Sequence, residues 1–344
     1  MENVFDSQIV ESQMGWRAFN VSESEIALRI SENSDRIILK LKSEKYLYFL
    51  QRVPVLGPEE AKLLRKAIDS FRESKAQISA IEHFEKILKA GRISLERKQH
   101  EYLCGTIVNE ASQQGILSEL LRHEGLEEIA VIGLGKAKPV HVFDSAFGWL
   151  PTNLYFSNSQ GVRRIVNAAG SRIGRRVTFK SPSMNAQVGN ARINAIMEPA
   201  SVSGPAVTIR KFRKSPFTPS ELCLKGTASF GQMAFLWMAL QADCSALVCG
   251  NTGSGKTTLL NSIFSFVPRS ERIVIVEETP EISVPHSHCV RMATAEGIDI
   301  GMRELIVNTL RMRPDRIIIG EMRNSEETMA FVDTLLSGQG KGSY

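Results

Sequence analysis

The sequence contains no apolar run long enough to cross a bilayer. Its most apolar stretch, AFLWMAL at 234–240, gives way to Gln241 and Asp243, well short of the ~20 residues a spanning helix needs. Any membrane contact is therefore expected to be peripheral. Cysteine is sparse: Cys104, Cys223, Cys244, Cys249 and Cys289 are scattered, without a C-x-x-C pair, and no cationic-plus-apolar leader opens the chain. That pattern fits a reduced, cytoplasmic protein rather than a disulfide framework. Internal repeats and low-complexity tracts are also missing. Charge is nearly balanced, with 42 Lys and Arg against 37 Asp and Glu, a surplus of five. Such a surplus suits anionic ligands or a membrane surface and is too small to point to nucleic acid. What remains is the balance of an ordinary globular protein, 43% hydrophobic and 23% charged, with 344 residues to divide among two or three domains.

Along the chain, residues 1–93 read as a mixed N-terminal extension. RIILKL and YLYFL are strand-like, and GPEEAKLLRKAIDSF places Ala61, Leu64, Ile68 and Phe71 on one helical face behind Pro58 and two glutamates. Gly91 is expected to cap the helix that follows. Residues 94–212 read as a small α+β domain, with strands at EEIAVIG, PVHVF, ARINAIM and AVTIRKF between Gly, Pro and Asn turns. Pro216, Pro219 and a basic cluster give residues 213–225 the composition of a linker. From 226 to 344 apolar strands (SALVCG, RIVIVEE, RIIIGE) alternate with helices (FGQMAFLWMALQA, GKTTLLNSIFSF, GMRELIVNTLRMR). That alternation predicts a parallel sheet covered on both faces.

Between the first of those strands and its helix stands Gly250-Asn251-Thr252-Gly253-Ser254-Gly255-Lys256-Thr257, followed by Thr258. This is G-x-x-x-x-G-K-T in the strand-to-helix context the motif requires. Gly253 and Gly255 let the backbone turn with φ > 0 and bring its N–H groups to a phosphate chain at the positive end of a helix. Lys256 reaches the terminal phosphates, and the Thr257 hydroxyl coordinates Mg²⁺. A second ingredient should stand at the carboxyl end of a neighbouring strand. Glu321, after RIIIG, fits; Glu277, Glu278 and Glu281 follow another apolar strand in IVIVEETPEI. Carboxylates at two strand ends can together position water and Mg²⁺, with Glu321 acting on the metal largely through water. For Glu278 a solvated strand end is the alternative.

These segments resemble the type II/type IV secretion ATPases, the motors of type II secretion, pilus assembly and retraction, and archaeal pili and archaella. The resemblance rests on CGNTGSGKTTLLNSI for the Walker A loop, IVIVEETPEI for an acidic box, LRMRPDRIIIGEMR for an atypical Walker B segment, and GTASFGQMAFLWMAL ahead of the loop. LEEIAVIG, WLPTN, ARINAIMEP and GPAVTIRKF are similar to the family's N-terminal domain and linker, and AFLWMAL with VTIRKF looks most like archaeal members. The resemblance implies a RecA-like core, Glu321 as the Walker B glutamate and Glu277 as the acidic-box glutamate with Glu281 as its second acid. It also implies arginines that complete the site when ATP draws two domains together. Arg192, Arg210 and Arg213 occupy matching segments, the alternative for each being an ordinary salt bridge. The family's T-x-H histidine box has no counterpart before Tyr344, so the chain is expected to be a C-terminally truncated form.

Three other motifs are weaker. GQGKG, with Gly338, Gly340 and Gly342, lacks the preceding strand a dinucleotide site needs. His286, His288 and Cys289 in PHSHC have metal-like spacing but no second ligand cluster. RKFRKS carries a single aromatic residue and coincides with the linker. The expectation is an ATP- and Mg²⁺-dependent motor, a homohexameric ring at the inner face of the cytoplasmic membrane. Its partner would be an integral membrane platform protein, with no specific nucleic acid. A DNA-transfer ATPase and an inactive nucleotide-binding regulator are the alternatives.

Overall fold

The computed structural model describes residues 16–18, 21–33, 36–50, 62–64, 66–68, 70, 79–111, 115–171, 174–213, 215–294, 300–337 and 342–343. It divides into two compact units, Met1–Phe212 and Arg213–Tyr344.

The first unit opens with β1 (Trp16–Ala18), then a three-stranded antiparallel sheet of β2 (Ile26–Asn33), β3 (Arg36–Leu41) and β4 (Tyr46–Leu50). Residues 62–64 and 66–68 are helical and bury Leu64 and Ile68 as their spacing predicts; Pro58, Ala61 and Phe71 lie outside the described residues. Two helices follow, α1 (Ala80–Gly91) and α2 (Arg97–Ala111). Ser79 and Glu82 form a capping box at the start of α1. Gly91 does not supply its C-cap: the left-handed residue is Arg92, at φ 50°. Its N–H donates to the Leu88 and Lys89 carbonyls, so closing the last turn outweighs the cost of a Cβ there.

Next come α3 (Leu117–Arg122), β5 (Leu126–Ile132), β6 (His141–Asp144), β7 (Gly148–Pro151), β8 (Leu154–Phe156), α4 (Ser159–Ser171), β9 (Ser183–Val188), β10 (Ala191–Ile196) and β11 (Ala206–Lys211). Six of the strands form one antiparallel sheet in the order β7-β6-β5-β11-β10-β9. In β10, Ala191, Ile193 and Ala195 are buried while Asn194 and Ile196 face outward, the alternation of a sheet with one wet face.

The second unit holds a sheet of opposite character. Its helices are α5 (Pro219–Leu224), α6 (Phe230–Gln241), α7 (Lys256–Ile263), α8 (Met302–Thr309) and α9 (Ser325–Leu336). The strands β12 (Ile273–Glu277), β13 (Cys289–Ala293), β14 (Arg316–Ile319) and β15 (Gly342–Ser343) pair in parallel in the order β13-β12-β14-β15. Every residue of β12 and β14 is buried. Because side chains alternate across a strand, Ile273, Ile275 and Ile318 join one apolar cluster with Leu240 and Phe264, while Val276, Ile317 and Ile319 join another with Ile306 and Phe331. Each such side chain contributes about 1.5–3 kcal/mol by burial. The sheet is therefore covered on both faces, as the alternating pattern predicts.

One expectation needs correction here. SALVCG, expected as a strand, joins no sheet, and Leu247 is 68% exposed. An apolar run becomes a strand only when a neighbour accepts its ladder, and β14's second edge is taken by the two-residue β15. The stretch expected as a linker carries helix α5, closed by a Thr218–Glu221 capping box and anchored by buried Leu222.

Candidate functional site

The phosphate-loop motif spans the exposed turn 250–255 and the first residues of α7. Gly253 and Gly255 adopt φ of 77° and 91°, a region that favours glycine. At Gly250 the constraint is space rather than φ: a Cβ there would stand 2.5 Å from Ser254 Oγ, and the hydroxyl would have to turn away. Gly255 is the N-cap of α7 and offers no side chain to its first amides, leaving the positive end of the helix to a ligand. Lys256 Nζ donates to the carbonyls of Gly250 (2.8 Å) and Asn251 (2.9 Å), folding the loop over its own cation. Asn251, Thr252 and Ser254 are exposed, while Thr257 and Thr258 are half-buried in the first turn of the helix.

The carboxylates gather at the C-terminal ends of β12 and β14, where parallel strands of open α/β sheets present their ligand sites. Glu277, the last residue of β12, is buried; its Oε1 accepts the backbone N–H groups of Glu281 (2.8 Å) and Ile282 (2.7 Å). Its Oε2 lies 3.8 Å from Arg291, which also donates to the Ile282 carbonyl. Burial raises the Glu277 pKa above the usual carboxylate value, against the pull of those amides and of Arg291. Gly320 lets β14 end against this residue: a Cβ there would lie 3.1 Å from Glu277 Cγ, and the Gly320 N–H donates to the Val276 carbonyl at 2.8 Å. Glu321 and Glu278 then share one guanidinium. Arg323 stands 3.0 Å from Glu321 Oε1 and 2.7 Å from Glu278 Oε2, and its hydrogen bond to Glu321 is the main reason its pKa is raised.

Asn261 joins the phosphate-loop helix to the acidic segment. From α7 its Nδ2 donates to the Glu281 carbonyl (3.1 Å) and its Oδ1 accepts the Ser283 N–H (2.7 Å). The structure thus links Glu277 with Glu281, Glu278 with Glu321, and the loop helix with the acidic box. Sequence reasoning assigned no role to Arg323, Asn261 or Arg291. Arg323 sits two residues beyond Glu321, so its charge was a usable signal; the other two act across turns that spacing does not reveal.

Arg192 and Arg210 belong to the first unit and face each other in register across β10 and β11. Arg210 is 3.8 Å from Glu128. Arg213 opens the second unit, its guanidinium 3.8 Å from the ring centre of Phe217. His286, His288 and Cys289 form no metal-like cluster among the described residues: His286 Nε2 lies 3.2 and 3.1 Å from the Val267 and Pro268 carbonyl oxygens, and His288 pairs with Arg272. No described helix is long and apolar enough to cross a membrane.

The chain is similar to an uncharacterized protein of Methanocaldococcus jannaschii, 31% identical over 319 residues, which cover 87% of this chain and 43% of that one. It is also similar to the type IV secretion system protein VirB11 of Bartonella henselae, at 29% identity over 251 residues, 60% of this chain and 68% of that one. Among solved structures, the Legionella pneumophila ATPase DotB aligns with a TM-score of 0.44 at 18% identity, covering 64% of this chain and 61% of that one. The chain spans less than half the length of its archaeal relative. Residues 156–340, more than half of the 344, match the family described as "Type II/IV secretion system protein", and to that family this chain belongs.

Proposed function

We propose that the chain is an ATP-hydrolysing motor subunit of a secretion or pilus-type membrane machine. The observation that carries this reading is a phosphate loop, built on left-handed Gly253 and Gly255, tied through Asn261 to a sheet whose strand ends present Glu277, Glu278 and Glu321. The loop amides and the uncapped start of α7 fit a chain of phosphates. Lys256 would exchange its two carbonyl partners for the terminal phosphates. The oxygen donors of Thr257 and Glu321 suit Mg²⁺, which when bound neutralises phosphate charge.

Within this reading Glu321 orients and polarises the attacking water once Arg323 releases it. Glu277 keeps the acidic segment in place through the Glu281 and Ile282 amides, so its contribution is positioning. Arg192, Arg210 and Arg213 supply charge to the transition state when the units close. We further propose an extension over 1–93, an α+β domain over 94–212 and an ATPase core from 226, assembled as a homohexamer against a membrane platform protein on the cytoplasmic side.

A second reading, a type IV secretion ATPase of the DNA-transfer kind, is favoured by the likeness to VirB11, a type IV secretion system protein, and to the conjugal transfer protein TrbB of Rhizobium radiobacter. ATP turnover measured with added DNA and, separately, with membranes carrying a candidate platform protein distinguishes the two. Stimulation by the membranes alone supports the first reading and stimulation by DNA the second. Absence of Mg²⁺-dependent turnover under every condition would leave neither standing.

A further inference from the structure

One cluster of ligating side chains lies far in sequence from the nucleotide motifs. His100 and Cys104 stand four residues apart on α2, hence on one face of the helix. Glu85 reaches them from α1. One ligating atom from each of the three lies within 4.8 Å of the other two, and all three side chains are half-buried. Among the described residues no other His, Cys, Asp and Glu group meets that condition. The imidazole Nε2 is 2.5 Å from Glu85 Oε1 and 3.8 Å from Cys104 Sγ.

We propose that Glu85, His100 and Cys104 form a zinc site that staples α1 to α2. Three arguments support it. The donors are one carboxylate oxygen, one imidazole nitrogen and one thiol sulfur, a mixed set that zinc accepts and that magnesium or calcium, which prefer oxygen alone, does not. Tetrahedral zinc with ordinary bond lengths places sulfur and nitrogen ligands about 3.6 Å apart; Cys104 Sγ lies 3.8 Å from Nε2 and 3.9 Å from Nδ1, so the separation suits the ion once the imidazole turns to aim one nitrogen at it. The carboxylate must retreat from 2.5 Å to about 3.3 Å from the imidazole nitrogen to share the ion. Its side chain, 38% exposed, has room for that rotamer change.

The surroundings also hold the ligands in place. The His100 ring stacks on Phe84 at 6.2 Å, and Phe84, Leu103 and Ile107 form the dry floor beneath. Binding replaces the thiol proton of Cys104, released to solvent, with a sulfur–zinc bond, while His100 binds as the neutral ring. Water takes the fourth position. The site is structural and independent of nucleotide: it ties residue 85 to residue 104 across the α1–α2 turn.

The test is zinc content of the full chain after exhaustive dialysis, with circular dichroism to confirm folding. One zinc per chain is expected in the native protein and in Cys289→Ser, and loss of it in His100→Gln and Cys104→Ser. Cobalt loaded in place of zinc should give a thiolate charge-transfer band that Cys104→Ser abolishes. Should either ligand variant fold poorly, the cobalt spectrum of the native chain decides alone. Zinc at well below one per chain, equal zinc in folded His100→Gln, or cobalt without a thiolate band would reduce the cluster to a hydrogen-bonded His–Glu pair beside a thiol.

Discussion

Two arginine–glutamate pairs show how differently the two sheets handle charge. On the antiparallel sheet Arg210 stands 3.8 Å from Glu128, with half of its side chain in water. At the start of β14, Arg316 is 1% exposed; it donates to Glu271 Oε2 at 2.6 Å, to the Leu240 carbonyl at 2.9 Å and to Asp243 at 3.2 Å. A sheet with one wet face can carry charge at any outward position. The partly exposed β13 carries Arg291 in mid-strand, but strands buried on both faces, as β12 and β14 are, confine charge to their ends. In the second unit those ends have divided the labour, with structural Arg316 at the N-terminal side and the cluster of Glu277, Glu278 and Glu321 at the C-terminal side.

That contrast breaks most visibly at Arg316. Arg316→Ala leaves Glu271 buried without its guanidinium and should destabilise the second unit by about 3–5 kcal/mol. Arg210→Ala removes a solvated pair and should cost no more than about 1 kcal/mol, while lowering turnover. Chemical denaturation of both variants measures the difference; equal losses would erase the distinction between the sheets. Next in size is Ile275→Ala in β12, fully buried, expected to cost about 2–5 kcal/mol. Asn194→Ala on the wet face of β10 should stay within about 0.5 kcal/mol, and a larger loss there would mean that face is covered.

How much of this was legible in the sequence follows the same line. β12 and β14 were readable because a strand buried on both faces is a continuous apolar run bounded by charge, and β10 because its alternation is regular. The run at 245–250 is also apolar at its centre yet joins no sheet, since ladder partners are not written into a strand's own residues. In the candidate site, the left-handed turn at Gly253 and Gly255 and the place of Glu321 just past β14 were readable because glycine spacing and an apolar run that ends in charge are local in sequence. The Arg323 bridge, the Asn261 tie and the Glu85–His100–Cys104 cluster depend on turns and helix pairing that bring distant residues together.

The site yields two further effects. Glu321→Gln should retain nucleotide binding and lower turnover by roughly 10²-fold, about 2.7 kcal/mol of barrier; an unchanged rate would move the role to Glu278 or Glu277. Glu277 tests burial at the strand end through pH. Its folded pKa is raised above 4.5, chiefly by desolvation. Its contribution to stability is therefore complete below the unfolded pKa and declines as pH rises through the folded one. Glu277→Gln cannot ionise, so its stability relative to the native chain should increase across that window. A difference that shrinks with rising pH would show that the amide contacts and Arg291 outweigh desolvation.

The central claim is that the turn at 250–258 is a phosphate site, and the most direct measurement is equilibrium binding of ATP with Mg²⁺ to the native chain and to Lys256→Ala. The variant loses the cation nearest the β- and γ-phosphates, so its affinity should fall by at least about tenfold, roughly 1.4 kcal/mol, with folding unchanged because Lys256 Nζ contacts only carbonyls of the exposed loop. Equal affinity in the two proteins, or no binding by the native chain, would contradict the assignment.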